Sequence, residues 1–344
     1  MIIVLLFFFG LLPLPVSAVD FNAPEIPSQV QYLLPQQPES FGQGLWYMIR
    51  QVMPILQPSI AQGAKICTGL VGIAMLSTLL ATMPGSSAQV CRIVGALCAG
   101  LLILSPSNAL IDLGRDTVTQ VSDYGKLLLP VMTAAIAAQG GTTTSAALYM
   151  GTAVFDAVLG SFISAVLVPM IYVFLCLALA RTAMEDGTLQ KLQDFIKWLM
   201  IWGLKTILYI FTGYMGITGV VSGTTDAAAL KAAKLTISGM VPVVGGILSD
   251  ASESVLVGAG VMKTAAGMYG TLAMLAICAE PFLKIGVQYL MLKATAALCG
   301  IFGSKALSNL VQDFSSALGI LLGMTGSACL MLLISTVCFM KGVG

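Results

Sequence analysis

LLLPVMTAAIA at residues 127–137 and GMVPVVGGILS at residues 239–249 are two short apolar segments, each interrupted by a proline. A helix needs about 20 residues to cross the hydrocarbon core of a bilayer, so neither segment is long enough to do so. Their prolines, Pro130 and Pro242, are 242 − 130 = 112 residues apart. Paired proline- or glycine-interrupted segments in two halves of a membrane protein mark its functional centre. The sequence therefore predicts two re-entrant or broken segments at that centre.

The composition predicts a membrane protein. Hydrophobic residues make up 58% of the 344 residues and charged residues only 9%, whereas a soluble domain has about 25% charged residues. Long apolar runs without alternation favour helices over a barrel. We therefore predict an all-α polytopic membrane protein with six to eight transmembrane helices, with the two short segments re-entrant or broken.

Several function classes are disfavoured. The net charge is +1 and basic clusters are absent, so nucleic acid is not expected as a partner. The chain has no histidine, which excludes histidine-dependent zinc proteases and Ser/His chemistry. Its eight cysteines lie in or beside apolar runs without metal-ligand spacing, as expected of small buried hydrophobic residues. We predict neither a cofactor nor a metal, and no enzyme activity.

The first 111 residues divide into three parts. Residues 1–18 are typical of a signal peptide, with Val16-Ser17-Ala18 as the cleavage site, or else form an uncleaved first helix. Residues 19–62 are predicted to be an extracytoplasmic, proline-rich linker followed by an amphipathic helix. That helix could lie on the outer membrane face or pack on the other helices, with prolines that kink or interrupt it. Residues 63–111 contain the first two transmembrane helices, and a polar loop follows at residues 112–126.

An internal repeat is predicted for residues 127–221 and 239–340. Pro169 and Pro281 share the 112-residue offset, and Gln-Asp-Phe at residues 193–195 recurs at residues 312–314, an offset of 119. Each unit contains a broken segment, a long apolar run, a loop and a spanning helix. If each long run, kinked at its proline, crosses the membrane once, the repeats are parallel; if it is a helical pair, they are inverted. The basic residues of the 181–197 loop favour the parallel arrangement, with that loop in the cytoplasm.

Charged residues inside apolar runs are the candidate functional residues. Glu280 and Lys284 are four residues apart and can pair on one helix face, with Pro281 freeing a carbonyl nearby. Asp156 stands alone in the first long run. Asp250 follows Gly245 and Gly246 in the second broken segment, where an acid at a helix start more often caps than coordinates an ion.

The stretch SGMVPVVGGILSDASESVLVGAGVMKTAAGMYG, residues 238–270, resembles the stage III sporulation protein AE family of endospore-forming bacteria. The resemblance covers nearly the whole chain. It implies a component of the channel complex that links mother cell and forespore, located in the mother-cell membrane that surrounds the forespore. The partners it implies are the other stage III sporulation A membrane proteins, a separate secretion-type ATPase, and a forespore channel protein across the intermembrane space. It transfers no catalytic residue.

Three functions were weighed. The favoured one is a permease-like or scaffold subunit of that channel or secretion complex, because the chain has no nucleotide-binding motif and depends on a separate energy source. The alternative is an autonomous secondary transporter for a small solute or ion, which the paired segments would suit. An intramembrane aspartyl protease using Asp156 and Glu280 would need the two acids to face each other.

Overall fold

The structure, a computed structural model, describes residues 31–34, 41–82, 88–138, 142–184, 187–217, 265–302 and 304–342. All regular secondary structure in these ranges is helical, which confirms the all-α prediction. A 3₁₀ turn lies at Gln31–Leu33, and a π-helical turn at Ile163–Leu167 joins the third α-helix to the fourth. The α-helices of these ranges are α1 Phe41–Thr82, α2 Ala88–Ala138, α3 Thr142–Phe162, α4 Val168–Met184, α5 Gly187–Ile217, α6 Ala265–Ile301 and α7 Lys305–Gly342.

Six stretches of the described chain are long and apolar enough to cross a membrane. They lie in α1, α2, the continuous α3–α4 run, α5, α6 and α7. The shortest has 29 residues, about 43 Å at 1.5 Å per residue, which exceeds the roughly 30 Å hydrocarbon core. The chain is therefore a multi-pass membrane protein, and the six spans fall within the predicted six to eight.

Helix α7 is the centre of the bundle. In its most apolar stretch 89% of the residues are buried, against 22% in α1 and 28% in α5. It packs against α2, α3, α4, α5 and α6. Its buried residues, such as Leu321, Met324 and Phe339, lie on all sides of the helix, as expected of a helix surrounded by others.

Contacts along α7 fix the direction of its neighbours. α2 runs parallel to α7, because Gly95 abuts Leu307 near the start of α7 and Gly125 abuts Leu332 near its end. α5 has the same direction, since Gly187 and Lys305, the first residues of the two helices, line the same cavity. The α3–α4 run is antiparallel to α7, because the Thr152 hydroxyl lies 3.0 Å from that of Ser335 near the end of α7.

Helices α6 and α1 run antiparallel to α7. Gly300 near the end of α6 abuts Ser308 near the start of α7. α1 runs parallel to α6, because Gly44 abuts Leu272 and Gly63 abuts Met291. Successive spans therefore alternate in direction. The α2–α3 connection lies at one end of the bundle (the Ala138 end), and the α4–α5 and α6–α7 connections lie at the other (the Met184 end).

The first predicted broken segment is not a separate element. Residues 127–137 form the last turns of α2, and Pro130 lies inside the helix, about two turns before its end. Proline removes one backbone donor, but membrane helices tolerate it because surrounding helices hold the chain in place. Here Leu128 and Met132 are buried on the inner side of the segment. This corrects the prediction of a re-entrant segment at this position.

The predicted polar loop at residues 112–126 is also helical. It is the middle of α2, which has 51 residues and no interruption from Ala88 to Ala138. The frequent charged residues predict a loop, but they do not interrupt the helix. Those residues occupy one face of the helix, while the opposite face, including Val118, Val121 and Tyr124, is buried.

The long apolar run at residues 145–180 is one continuous helical run. The π turn at Ile163–Leu167 precedes Pro169, and the Val168 amide donates to the Ile163 carbonyl five residues earlier. A helical run that continues past a proline needs such a local adjustment, because the proline removes a donor from the regular ladder. Of the two arrangements predicted for this run, the single long helix is therefore correct.

The predicted amphipathic helix and the first predicted span form one helix, α1. Pro54 and Pro58 lie inside it without ending it. Trp46 and Met53, two of the apolar residues whose helical spacing predicts this helix, are exposed, whereas Met48 and Val52 are buried. α1 packs on α6 and α2, so this helix does pack on the others.

Two predicted features lie outside the described residues. They are the signal peptide at residues 1–18 and the second broken segment with Pro242, Gly245, Gly246 and Asp250. Both stay predictions, as does the division of residues 19–62 and 63–111 into an extracytoplasmic and a membrane part.

The alternation of the spans predicts which ends share a side of the membrane. In a cysteine-free background, we expect Gly187→Cys and Lys305→Cys to react with an impermeant maleimide from one side. Ala134→Cys and Ala146→Cys should react only from the other side, because they lie beside the α2–α3 connection. Labelling of Ala134→Cys and Gly187→Cys from the same side would contradict the alternation.

Candidate functional site

The candidate site is a polar face on the middle of α2. At 3.6 residues per turn, its members lie within about 100° of the helix circumference. All of its members are exposed, and the neighbouring Ser122 is half-buried. We define the α2 polar face as Asp112, Arg115, Asp116, Thr119, Asp123 and Lys126.

The α2 polar face lies at the depth of apolar side chains on neighbouring helices. Gly114 abuts Leu321 and Gly125 abuts Leu332, so the face is level with the middle of the central helix α7. On α3 at the same depth, the outward residues are Val154 and Val158, 53% and 47% exposed. The face is therefore surrounded by surface suited to lipid.

Lipid cannot solvate such a face. A charged side chain at the centre of a membrane helix costs about 3 kcal/mol on insertion scales, and the face carries five of them within 15 residues. Lys126 donates to Asp123 at 2.8 Å, which offsets part of the cost for that pair. Within the hydrocarbon core, the rest of the face would have to be covered by water or by protein.

Asp156 of α3 borders the α2 polar face. Its carboxylate accepts a 2.6 Å hydrogen bond from the Ser122 hydroxyl. The two residues are 34 positions apart, so their contact depends on the antiparallel packing of α2 and α3. This bond gives the lone acid of the first long apolar run a partner inside the bundle.

A cavity of about 290 Å³ opens beside this contact, between α2 and the end of α3. Such a volume holds several water molecules, each of which occupies about 30 Å³ in the liquid. π turns recur at functional sites because they displace side chains from the regular helix, and here two members of the turn reach the cavity. The lining includes Arg115, Thr119, Ser122, Gly160, Ile163 and Ser164.

A second polar cluster joins the N-terminal turn to α6. Lys284 Nζ donates to Glu280 Oε1 at 2.6 Å, which places the predicted pair on one face of α6. The Tyr32 hydroxyl donates to the other carboxylate oxygen, Oε2, at 2.8 Å. Buried Leu33 and Leu34 hold this turn against the bundle. The cluster therefore fastens the 3₁₀ turn to the helix.

Tyr32 is the partner that sequence reasoning did not identify. Partial burial, followed by the hydrogen bond and the negative charge of Glu280, raises the pKa of Tyr32 to about 12. A raised pKa means that its contribution to stability is complete below the ordinary value of 10 and is lost as pH rises through 12. The side chain is 48% exposed, so that contribution is small.

A third cluster pins α4 to the central helix near the Met184 end. Arg181 Nη2 lies 2.5 Å from Asp313 Oδ2, with the two side chains only 15% and 17% exposed. Lys197 of α5 donates to the Ser316 hydroxyl at 3.2 Å, one turn along α7. Gln193, buried at 1% exposure, lies beside Asp313, and neither polar atom of its side chain makes a well-aligned hydrogen bond to a described residue.

The structure does not bring the predicted residues into one site. Asp156 bonds to Ser122 on α2, and Glu280 bonds to Tyr32 and Lys284, so the two acids have different partners. Pro130 is exposed near the end of α2. Among the described residues, no group of three cysteine or acidic side chains is arranged to hold a metal ion.

The buried ion pair predicts a large effect of one substitution. Asp313→Asn leaves the Arg181 guanidinium without its counter-charge and should lower the free energy of unfolding in detergent by about 3 kcal/mol. Asp194→Asn is the control, because Asp194 belongs to the first Gln-Asp-Phe motif but is exposed on α5. The double variant Arg181→Gln/Asp313→Asn should recover part of the loss. Equal effects of Asp313→Asn and Asp194→Asn would show that the pair does not hold α4 to α7.

Comparison with known proteins gives the family. The chain is 23% identical over 198 residues to the stage III sporulation protein AE of Bacillus subtilis (strain 168), a match that covers 58% of this chain and 50% of the relative. The matched part thus spans half the length of that relative. No solved structure matches the chain. The family model for stage III sporulation protein AE matches residues 37–342, which include every α-helix described above. The chain therefore belongs to the stage III sporulation protein AE family.

Proposed function

We propose that this protein is a permease-like or scaffold subunit of the channel or secretion complex between mother cell and forespore. Family membership supports a role in sporulation. The observation that carries the proposal is the α2 polar face, which lies beside the exposed valines of α3. A protein that works alone in lipid would leave this face uncovered, whereas a subunit of an assembly can bury it.

The proposed partners are the other stage III sporulation A membrane proteins and a forespore channel protein across the intermembrane space. A separate secretion-type ATPase would supply the energy, since the sequence contains no nucleotide-binding motif. The proposed location is the mother-cell membrane around the forespore. The Ala138 end of the bundle, the side from which α1 starts, would then face the intermembrane space, and the Met184 end, with Arg181 and Lys197, would face the cytoplasm, in keeping with the positive-inside rule.

An internal duplication of residues 127–221 and 239–340 is part of the proposal. Lys197 and Ser316 correspond under the 119-residue offset, since 316 − 197 = 119, and they contact each other at 3.2 Å. Contact between equivalent residues is typical of units related by a two-fold axis. In each proposed unit, a long helical run is followed by a second helix. In the first unit this helix is α5, which packs on the central helix, and in the second unit it is the central helix α7 itself.

The alternative is an autonomous secondary transporter. The cavity lined by Ser122 favours it, because the Asp156 carboxylate, bonded to the Ser122 hydroxyl, lies close enough to this space to attract a cation. Proteoliposomes that contain only the purified protein would take up a small ion under this hypothesis, and Asp156→Asn would abolish the uptake.

Recovery of partners tests the proposed function. We expect a tagged chain, purified from sporulating cells in mild detergent, to bring down other stage III sporulation A proteins and an ATPase. In the same cells, Asp112→Asn/Asp116→Asn should lower late forespore gene expression, because the altered face no longer fits its cover. Asp194→Asn, an exposed change on α5, is the matched control and should leave expression unchanged at equal protein level.

Purification of the chain without these partners, together with solute uptake by the chain alone, would contradict the subunit proposal and favour the transporter.

A further inference from the structure

We propose that the α2 polar face is covered by α1 of a neighbouring copy of this same chain. The inference rests on the proposed function in one respect, namely that the chain works in an assembly. It goes further by assigning the occupant of the face.

Helix α1 has a polar face of its own. At 3.6 residues per turn, its members fall within about 80° of the helix circumference. All of them are exposed, and they lie beside the outward apolar residues Trp46 and Met53. We define the α1 polar face as Gln43, Arg50, Gln57 and Lys65.

The two faces are complementary in charge. α1 contains two basic residues, Arg50 and Lys65, and no acidic residue in its 42 positions. The α2 polar face carries three acids and two bases, and one of those bases, Lys126, already pairs with Asp123. Asp112 and Asp116 are therefore the expected partners for the positive charge that α1 of a neighbouring copy would bring. Opposite charges that are desolvated together at an interface select the correct partner.

The two faces also match in depth. Gly44 of α1 abuts Leu272 of α6, and the Tyr124 hydroxyl of α2 donates to the Gly270 carbonyl, so the start of α1 is level with residues near 123. Further along, Gly69 abuts Leu102. Interpolation between these contacts places Arg50 level with Asp116 and Gln57 level with Asp112, within about one helical turn. Copies inserted with the same orientation in one membrane would present these residues at the same height.

The faces belong to different sides of the molecule. α1 packs on α6 and on α2, whereas the α2 polar face borders α3 through Ser122 and the cavity. A contact between two different surfaces is heterologous, so each copy keeps one face free to bind the next. Repetition of this contact closes a ring if the rotation between copies allows it. In a closed ring, α1 of a neighbouring copy would cover every α2 polar face, and none of these faces would contact lipid.

Cysteine cross-linking between differently tagged copies tests the inference. In a cysteine-free background, copies with Arg50→Cys and copies with Asp116→Cys are expressed together and oxidised in the membrane. We expect a disulfide-linked dimer that carries both tags. Arg50→Cys combined with Val158→Cys is the control and should give no dimer, because Val158 faces lipid on α3.

Charge reversal gives a second readout that does not depend on cysteine. Arg50→Glu or Asp116→Lys alone should lower the co-purification of differently tagged copies about tenfold or more, because like charges then meet at the contact. Co-expression of Arg50→Glu copies with Asp116→Lys copies should restore it. Restoration also shows that the single variants fold.

Two results would overturn the inference. One is cross-linking of Asp116→Cys only to itself or to a different protein. The other is the absence of both cross-linking and charge rescue. If the copies do not cross-link but other sporulation proteins co-purify, the inference fails and the proposed function stands. If the copies cross-link but no other sporulation protein co-purifies, the inference stands and the proposed function fails.

Discussion

Lipid does not solvate charge, and this constraint accounts for most of the arrangement of the bundle. The chain has few charged residues, and the structure gives several of them a partner at depth: Arg181 with Asp313, Lys284 with Glu280, and Asp156 with Ser122. Each contact joins or stabilises helices that would otherwise bury an uncompensated group. The polar faces of α2 and α1 are exceptions, because they point outward. Their composition therefore indicates an environment that the single chain does not supply.

The central helix explains how such a face can persist. α7 is buried along most of its length and contacts five other helices, so the fold is held together from the inside by close packing of apolar residues. The outer surfaces of α1 and α2 are then free to carry polar residues that serve contacts outside the chain. In this account the interior provides stability and the polar faces provide assembly, which is the division expected of a subunit in a membrane complex.

Much of the fold could be predicted from the sequence. Apolar runs located the spans, and a four-residue spacing placed Glu280 and Lys284 on one face. Two predictions are wrong, for identifiable reasons. The segment at Pro130 is helical, because neighbouring helices in a membrane bundle hold a proline-containing segment in place. Residues 112–126 are helical and not a loop, because their charges recur at spacings of three and four residues, which is the signal of a helix face.

Other contacts could not be read from the sequence. Ser122 meets Asp156, and Tyr32 meets Glu280, through packing between helices distant in the chain. The depth of Arg50 relative to Asp116 likewise depends on how α1 and α2 rest on α6. Local spacing contains no information on such registers, because they follow from side-chain packing across the whole bundle.

The central claim is that the α2 polar face does not contact lipid. Nitroxide labels at Asp116→Cys and Val158→Cys, in a cysteine-free protein purified as its intact assembly and reconstituted in bilayers, test it by power saturation with oxygen and with a water-soluble nickel complex. The account predicts that the label at 158 is accessible to oxygen, which concentrates in lipid, and that the label at 116 is not. Equal oxygen accessibility at the two positions would contradict it.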